Sequence, residues 1–187
     1  METRRLAVAA RRPLEAHAYH ALRSLLLLVL AFAIQILGLP QLITGTVVNG
    51  VLLAAALTSP PFYGASVGAL TPVVALWRGI IPPAAVPMVP FIAAGNALLV
   101  VVFWAFHRTG RRWAAWRGAA VAAVLKAAFL GYAATHLVSV PPPVQAMMST
   151  PQLITALSGA VLVLGVGPLA KRGFLRLIGW EAEGPDR

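Results

Sequence analysis

Cysteine is missing from this chain of 187 residues. No disulfide, thiolate nucleophile or cysteine-held metal is therefore open to it. Acidic residues are nearly as scarce. Glu2, Glu15, Glu181, Glu183 and Asp186 are the whole set, and residues 16–180 contain no carboxylate side chain. Charged residues make up 11% of the chain, against about 25% in ordinary soluble domains. A soluble globular domain is thereby excluded. The formal charge of +10 invites a nucleic-acid reading. However, the basic residues stand beside apolar runs and form no separate basic domain, so orientation in a bilayer accounts for them and no nucleic-acid partner is expected.

What the chain has in quantity is apolar sequence, 59% of its residues. A helix crossing hydrocarbon needs about 20 mainly apolar residues. Six segments approach or meet this, at 21–39, 42–57, 62–77, 90–107, 117–138 and 151–170. The expected fold class is all-α: an integral membrane bundle of six transmembrane helices, forming one domain over 21–170. A basic segment, 1–20, precedes it and a tail, 171–187, follows. Residues 1–20 suit an amphipathic surface helix that Pro13 would interrupt. The arginines, apolar run and "AFA" at 31–33 also resemble a cleavable secretory signal. The apolar stretch continues past "AFA" without a polar break, so a retained first helix is expected.

Positive charge sets the orientation, because lysine and arginine beside short loops are retained in the cytoplasm. Arg4, Arg5, Arg11, Arg12 and Arg23 precede or open the first span. Arg108, Arg111, Arg112 and Arg117 join the fourth to the fifth, and Lys171, Arg172, Arg176 and Arg187 follow the sixth. All lie on one side if both termini are cytoplasmic in the cell membrane. Arg78 remains as an outward-loop cation and Lys126 as a cation within a span.

With that orientation the polar residues fall mostly in the outer half. Gln35 ends the first helix; Gln41, Thr44 and Thr46 open the second; Asn96 lies in the fourth; Tyr132, Thr135 and His136 end the fifth; Gln152, Thr155 and Ser158 open the sixth. Asn49 and Lys126 sit near mid-membrane. Such groups are costly in hydrocarbon and normally face the bundle interior or a wet cavity. An outward-facing polar cavity is expected. Lys126 and His136 are expected to share a face of the fifth helix with Phe129 and Ala133. With no carboxylate in any span, a ligand can serve as the partner of Lys126; snorkelling or deprotonation by burial is the alternative.

The segment "LWRGIIPPAAVPMVPFIAAGN", 76–96, interrupts apolar sequence with an arginine, four prolines and an asparagine. Its prolines cannot continue a helix, so residues 79–90 read as a lid over a cavity, anchored by Trp77 and Arg78 with Asn96 beneath its far end. A rigid interfacial loop is the plainer reading. "VPPPV" at 140–144 supplies a second outer loop. Small residues at Gly64, Ala65, Gly68 and Ala69 form ridges suited to close helix contact, within the bundle or with another membrane protein.

"GASVG" at 64–68 matches the serine-hydrolase pattern G-x-S-x-G, but Ser66 near the inner side and His136 near the outer side are separated by most of a bilayer. Catalysis is not expected. His17, His20, His107 and His136 show no metal-ligand spacing, and no phosphate-binding loop is present. Neither a metal nor another cofactor is expected.

"ILGLPQLITGTVVNGVLLAAAL" and "GASVGALTPVVALWRGIIPPAAVPMVPFIAAGNALLVVVF" resemble the substrate-binding S component of energy-coupling-factor (ECF) transporters over residues 36–103. The resemblance implies a six-helix membrane protein that captures a vitamin or related micronutrient at its outer face. It further implies association with a transmembrane coupling subunit and two cytoplasmic ATPases. Ligand contacts would then fall on Arg78, Asn96, Lys126, His136 and Thr155, with Gln35, Asn49, Trp77 and Tyr132 as further candidates. The family's alanine-x-x-x-alanine docking motif is not met, because Ala31 is followed four residues later by Gln35. Docking would shift to Gly64, Ala65, Gly68 and Ala69, or to Ala21 and Ser24. Lys126 and Arg78 favour an anionic ligand. The alternatives are a structural or assembly membrane protein without a small ligand and, with less support, a channel.

Overall fold

A computed structural model describes residues 2–167, with side chains from residue 14 onward. The tail 171–187, with Lys171, Arg172, Arg176 and Arg187, and the end of the last expected span lie outside the described residues. Among the described residues the structure is all-helical. The main helices are α1 (Glu2–Ile36), α2 (Gln41–Thr58), α3 (Pro61–Trp77), α4 (Val89–His107) and α5 (Ala114–Tyr132). A short α6 (Pro142–Met147) precedes α7 (Thr150–Ala160). A 3-10 stretch, Pro83–Met88, leads into α4, and π-helical turns at Ala133–Leu137 and Val161–Val166 extend α5 and α7.

Five segments are long and apolar enough to cross a membrane: Leu14–Ile36, Gln41–Thr58, Pro83–His107, Ala114–Leu137 and Pro142–Val166. This is consistent with a multi-pass membrane protein. The sixth apolar helix, α3, is shorter at 17 residues. The N-terminal segment is not a separate surface helix: α1 is continuous from Glu2 through Pro13. A proline inside a helix removes one hydrogen bond and can bend the helix without ending it.

Proline and glycine set most of the boundaries. Pro61, Pro90, Pro142 and Pro151 lie in the first turns of their helices, where a missing N–H costs no helical bond. Gly38 and Gly79, with φ of +63° and +70°, turn the chain out of α1 and α3, a conformation open to glycine at little cost.

The helices alternate in direction. α4 packs between α3 and α5, α7 packs on α2 and α5, and α1 lies across α3 and α2. The Arg23 guanidinium donates to the Thr58 carbonyl, and His17 Nδ1 lies 2.7 Å from the Tyr63 hydroxyl. These contacts tie early α1 to the α2–α3 turn, at the end of the bundle that also carries the Arg108–Arg112 connection. The central core joins Leu52, Val67, Leu99, Phe103, Ala122 and Ala156 from five helices. A second cluster, with Ala85, Met88, Leu130, Val144 and Met148, binds both proline-rich connections to the end of α5. α1 leaves Leu22, Leu25, Leu26, Val29 and Leu30 exposed, an apolar surface suited to lipid.

Backbone approaches are closest where glycine is found. A Cβ on Gly159 would stand 2.7 Å from the Gly50 nitrogen and 2.8 Å from the Thr46 carbonyl oxygen. A Cβ on Gly68 would stand 3.0 Å from the carbonyl carbon of Asn96. Absence of side chains at these positions brings α7 onto α2 and α3 onto α4.

Candidate functional site

A cavity of about 170 Å³ lies at the end of the bundle opposite the α4–α5 arginines. Every helix reaches it, α6 by its last residue, Met147. Gln35 comes from the end of α1; Gln41, Thr44, Gly45, Val48 and Asn49 from the first half of α2; Thr71, Pro72 and Ala75 from the second half of α3. The proline-rich connection supplies Ile80, Ile81, Pro82 and Ala85, α4 gives Ile92 and Asn96, and α5 gives Lys126. Met147 and Met148, around the α6–α7 junction, and Gln152 of α7 complete the wall.

The polar floor is an ordered chain of hydrogen bonds across three helices. Lys126 Nζ donates to Asn49 Oδ1 at 2.7 Å. Asn49 Nδ2 donates to the Gly45 carbonyl at 2.9 Å and to Thr155 Oγ1 at 3.2 Å. Thr155 Oγ1 donates to the Gln152 carbonyl at 3.2 Å. Lys126, Asn49 and Thr155 are each 3% exposed. The direction of the chain follows from chemistry: a carbonyl only accepts, so the Asn49 amide nitrogen must face Gly45, leaving its oxygen for Lys126. Both amide protons are used, so the amide is held as a fixed acceptor for the amine.

Asn96 has a different task. Pro72 has no N–H, so the Gly68 carbonyl four residues earlier lacks its usual helical donor. Asn96 Nδ2 donates to that carbonyl at 3.1 Å. The cavity wall is thus sealed where α3 would otherwise leave a bare backbone acceptor in an apolar bundle.

The structure gathers Gln35, Asn49, Asn96 and Lys126 on the cavity and places Thr155 directly behind Asn49. It does not gather the other four candidates. Trp77 is 80% exposed, with the Arg78 guanidinium 5.8 Å from its ring centroid. Both stand exposed at the end of α3, and neither lines the cavity. His136 and Tyr132 stack on each other at 4.7 Å on the outer surface. The expected shared face fails for a geometric reason. α5 ends at Tyr132 and His136 lies in the wider π-helical turn that follows, where the 100° spacing no longer holds; it is exposed, whereas Lys126 sits in the buried arc of Ala122, Ala123, Ala127 and Leu130.

The proposed docking positions separate similarly. Gly64 packs toward Val100 and the Ala55 backbone, and Gly68 toward Asn96, so both serve contacts within the chain. Ala65 and Ala69 are half-buried; Ala21 is exposed and Ser24 buried. Ser66 donates to the Phe62 carbonyl at 2.9 Å and is not brought to His136.

Gln41, Thr44 and Gln152 carried a signal in their expected depth, although depth alone did not single them out. Met147 and Met148 carried none. They reach the cavity because α6 folds back before α7 begins. Among the described residues no three histidine or carboxylate side chains gather where they could hold a metal ion. What the site offers is one amine, several neutral donors and acceptors, and apolar walls, an arrangement suited to holding a small molecule. No protein-family model, no curated protein and no solved structure matches this chain.

Proposed function

We propose that this protein captures a small micronutrient at the outer face of the cell membrane, as the S component of an ECF-type importer. In this reading α3 is a sixth, short span and both termini are cytoplasmic. The cavity, lying opposite the arginine-bearing connection, then opens outward. The observation that carries the reading is Lys126: a buried amine on a cavity wall, in a chain whose residues 16–180 contain no carboxylate. An anionic group on a ligand supplies the missing partner through charge-assisted hydrogen bonds. The resemblance over residues 36–103 supports the transporter class, and with it a coupling subunit and two cytoplasmic ATPases. The chain is not proposed as an enzyme.

A second reading has its own support. Lys126, Asn49 and Thr155 join α5, α2 and α7, as polar residues do when they only hold membrane helices together. Coexpression with a coupling subunit and ATPases, followed by purification on the coupling subunit, separates the two. The importer reading expects one complex containing all components. It also expects thermal stabilisation of the isolated chain by at least one member of a vitamin and precursor panel. Failure of both leaves the assembly reading.

A further inference from the structure

We propose that the cavity takes a compact monocarboxylate carried on a single ring, with the carboxylate against Lys126 and the ring against the isoleucine and methionine side chains. This rests on the capture reading and narrows its ligand.

Size sets the first limit. The cavity measures about 170 Å³, and an engineered apolar cavity of about 150 Å³ holds one benzene ring. One six-membered ring with a small substituent fills this volume, and a second fused ring would extend out of it through the open mouth.

Charge sets the second. Lys126 is the only ionisable side chain lining the cavity among the described residues. Its ammonium has three protons and gives one to Asn49. A carboxylate, with two accepting oxygens, matches the two that remain. The neighbouring amide cannot compete for this role, because Asn49 spends both of its donors on Gly45 and Thr155.

The walls set the third. Ile81, Ile92, Met147 and Met148 present apolar surface to the cavity, and thioethers make favourable contacts with aromatic ring edges. Asn49 and Thr155 act as positioning residues: they touch the amine or its acceptor and fix the direction in which the amine is held.

The test uses the full chain purified in detergent, with benzoate and nicotinate as probes, benzamide as the neutral counterpart and 1-naphthoate as the two-ring control. Calorimetric titration is expected to show benzoate or nicotinate binding, benzamide weaker by about tenfold or more, and 1-naphthoate weaker than the single-ring acids. Lys126→Met is expected to erase the preference for benzoate over benzamide. Thr155→Ser retains that preference, whereas Thr155→Val reduces it without changing benzamide binding, an outcome that general loosening of the fold would not produce. Equal binding of benzoate and benzamide, naphthoate binding as strong as that of the single-ring acids, or a preference that survives Lys126→Met overturns the proposal. Should a substituted chain fail to fold, the four-ligand comparison on the unsubstituted chain decides. If every single-ring acid fails while another panel molecule stabilises the chain, this ligand class is wrong and capture stands. If nothing on the panel binds and no complex with the coupling subunit forms, capture itself falls.

Discussion

The Asn96 side-chain amide bonds the Gly68 carbonyl at 3.1 Å, the acceptor that Pro72 leaves without a helical donor. A side chain on α4 thereby repairs the backbone of α3 while lining the cavity. Asn96→Ala is expected to lower stability by about 1–2 kcal/mol. Adding Pro72→Ala restores an N–H at position 72 and should recover much of that loss. Thermal unfolding of the single and double variants checks the relationship. A double variant no more stable than Asn96→Ala would contradict it.

Lys126 and Asn49 lead to a paired substitution. Asn49→Leu strands the buried amine without its acceptor and is expected to destabilise the chain by about 2–4 kcal/mol. Asn49→Asp instead gives Lys126 an internal counter-charge. Binding of an anionic ligand is then expected to drop by at least about tenfold, while stability falls less than in Asn49→Leu, because the ion pair with Lys126 offsets the donors lost to Gly45 and Thr155. Denaturation and titration on the same preparations distinguish the two effects; undiminished anion binding by the Asp variant would remove Lys126 from the ligand site.

The α2–α7 crossing depends on Gly159. A methyl group there would meet the Gly50 nitrogen and the Thr46 carbonyl oxygen at under 3 Å, with backbone that cannot swing aside. Gly159→Ala is expected to cost about 1–3 kcal/mol and to weaken ligand binding by moving Thr155 away from Asn49. Gly79→Ala offers a contrast, since no atom lies within 4 Å of its added carbon and only its φ of +70° resists. Melting temperatures should rank Gly159→Ala well below Gly79→Ala.

Trp77, Arg78 and His136 are surface groups in this fold. Substituting each by alanine is expected to leave stability within about 0.5 kcal/mol and ligand affinity within about twofold. A tenfold loss of affinity on Arg78→Ala, measured by titration, would return that arginine to the site.

Absence of native cysteine makes the proposed orientation directly testable. A cysteine at Ala84, in the connection above the cavity, is expected to react with a membrane-impermeant maleimide applied to intact cells. One at Thr109, in the arginine-bearing connection, is expected to react only after permeabilisation. The reverse pattern would invert the topology and place the cavity toward the cytoplasm.

Near-continuous apolar sequence was enough to mark the helical segments, and the prolines of 79–90 marked an irregular connection, because both features act through local chemistry. The missing carboxylates singled out Lys126 for the same kind of reason: residues 16–180 hold no counter-charge for it. Which polar groups meet was a different matter. Asn49 and Thr155 are 106 residues apart, and Asn49 and Lys126 are 77 apart. Helices that are apolar all round carry little periodic record of which face turns inward, so sequence placed Lys126 and His136 together where the fold separates them. Rotation and crossing were decided by close packing at Gly45, Gly68 and Gly159, where backbone meets neighbouring helices and only one arrangement of surfaces fits. That packing, not depth along each helix, brought one amine, one amide and one hydroxyl into line.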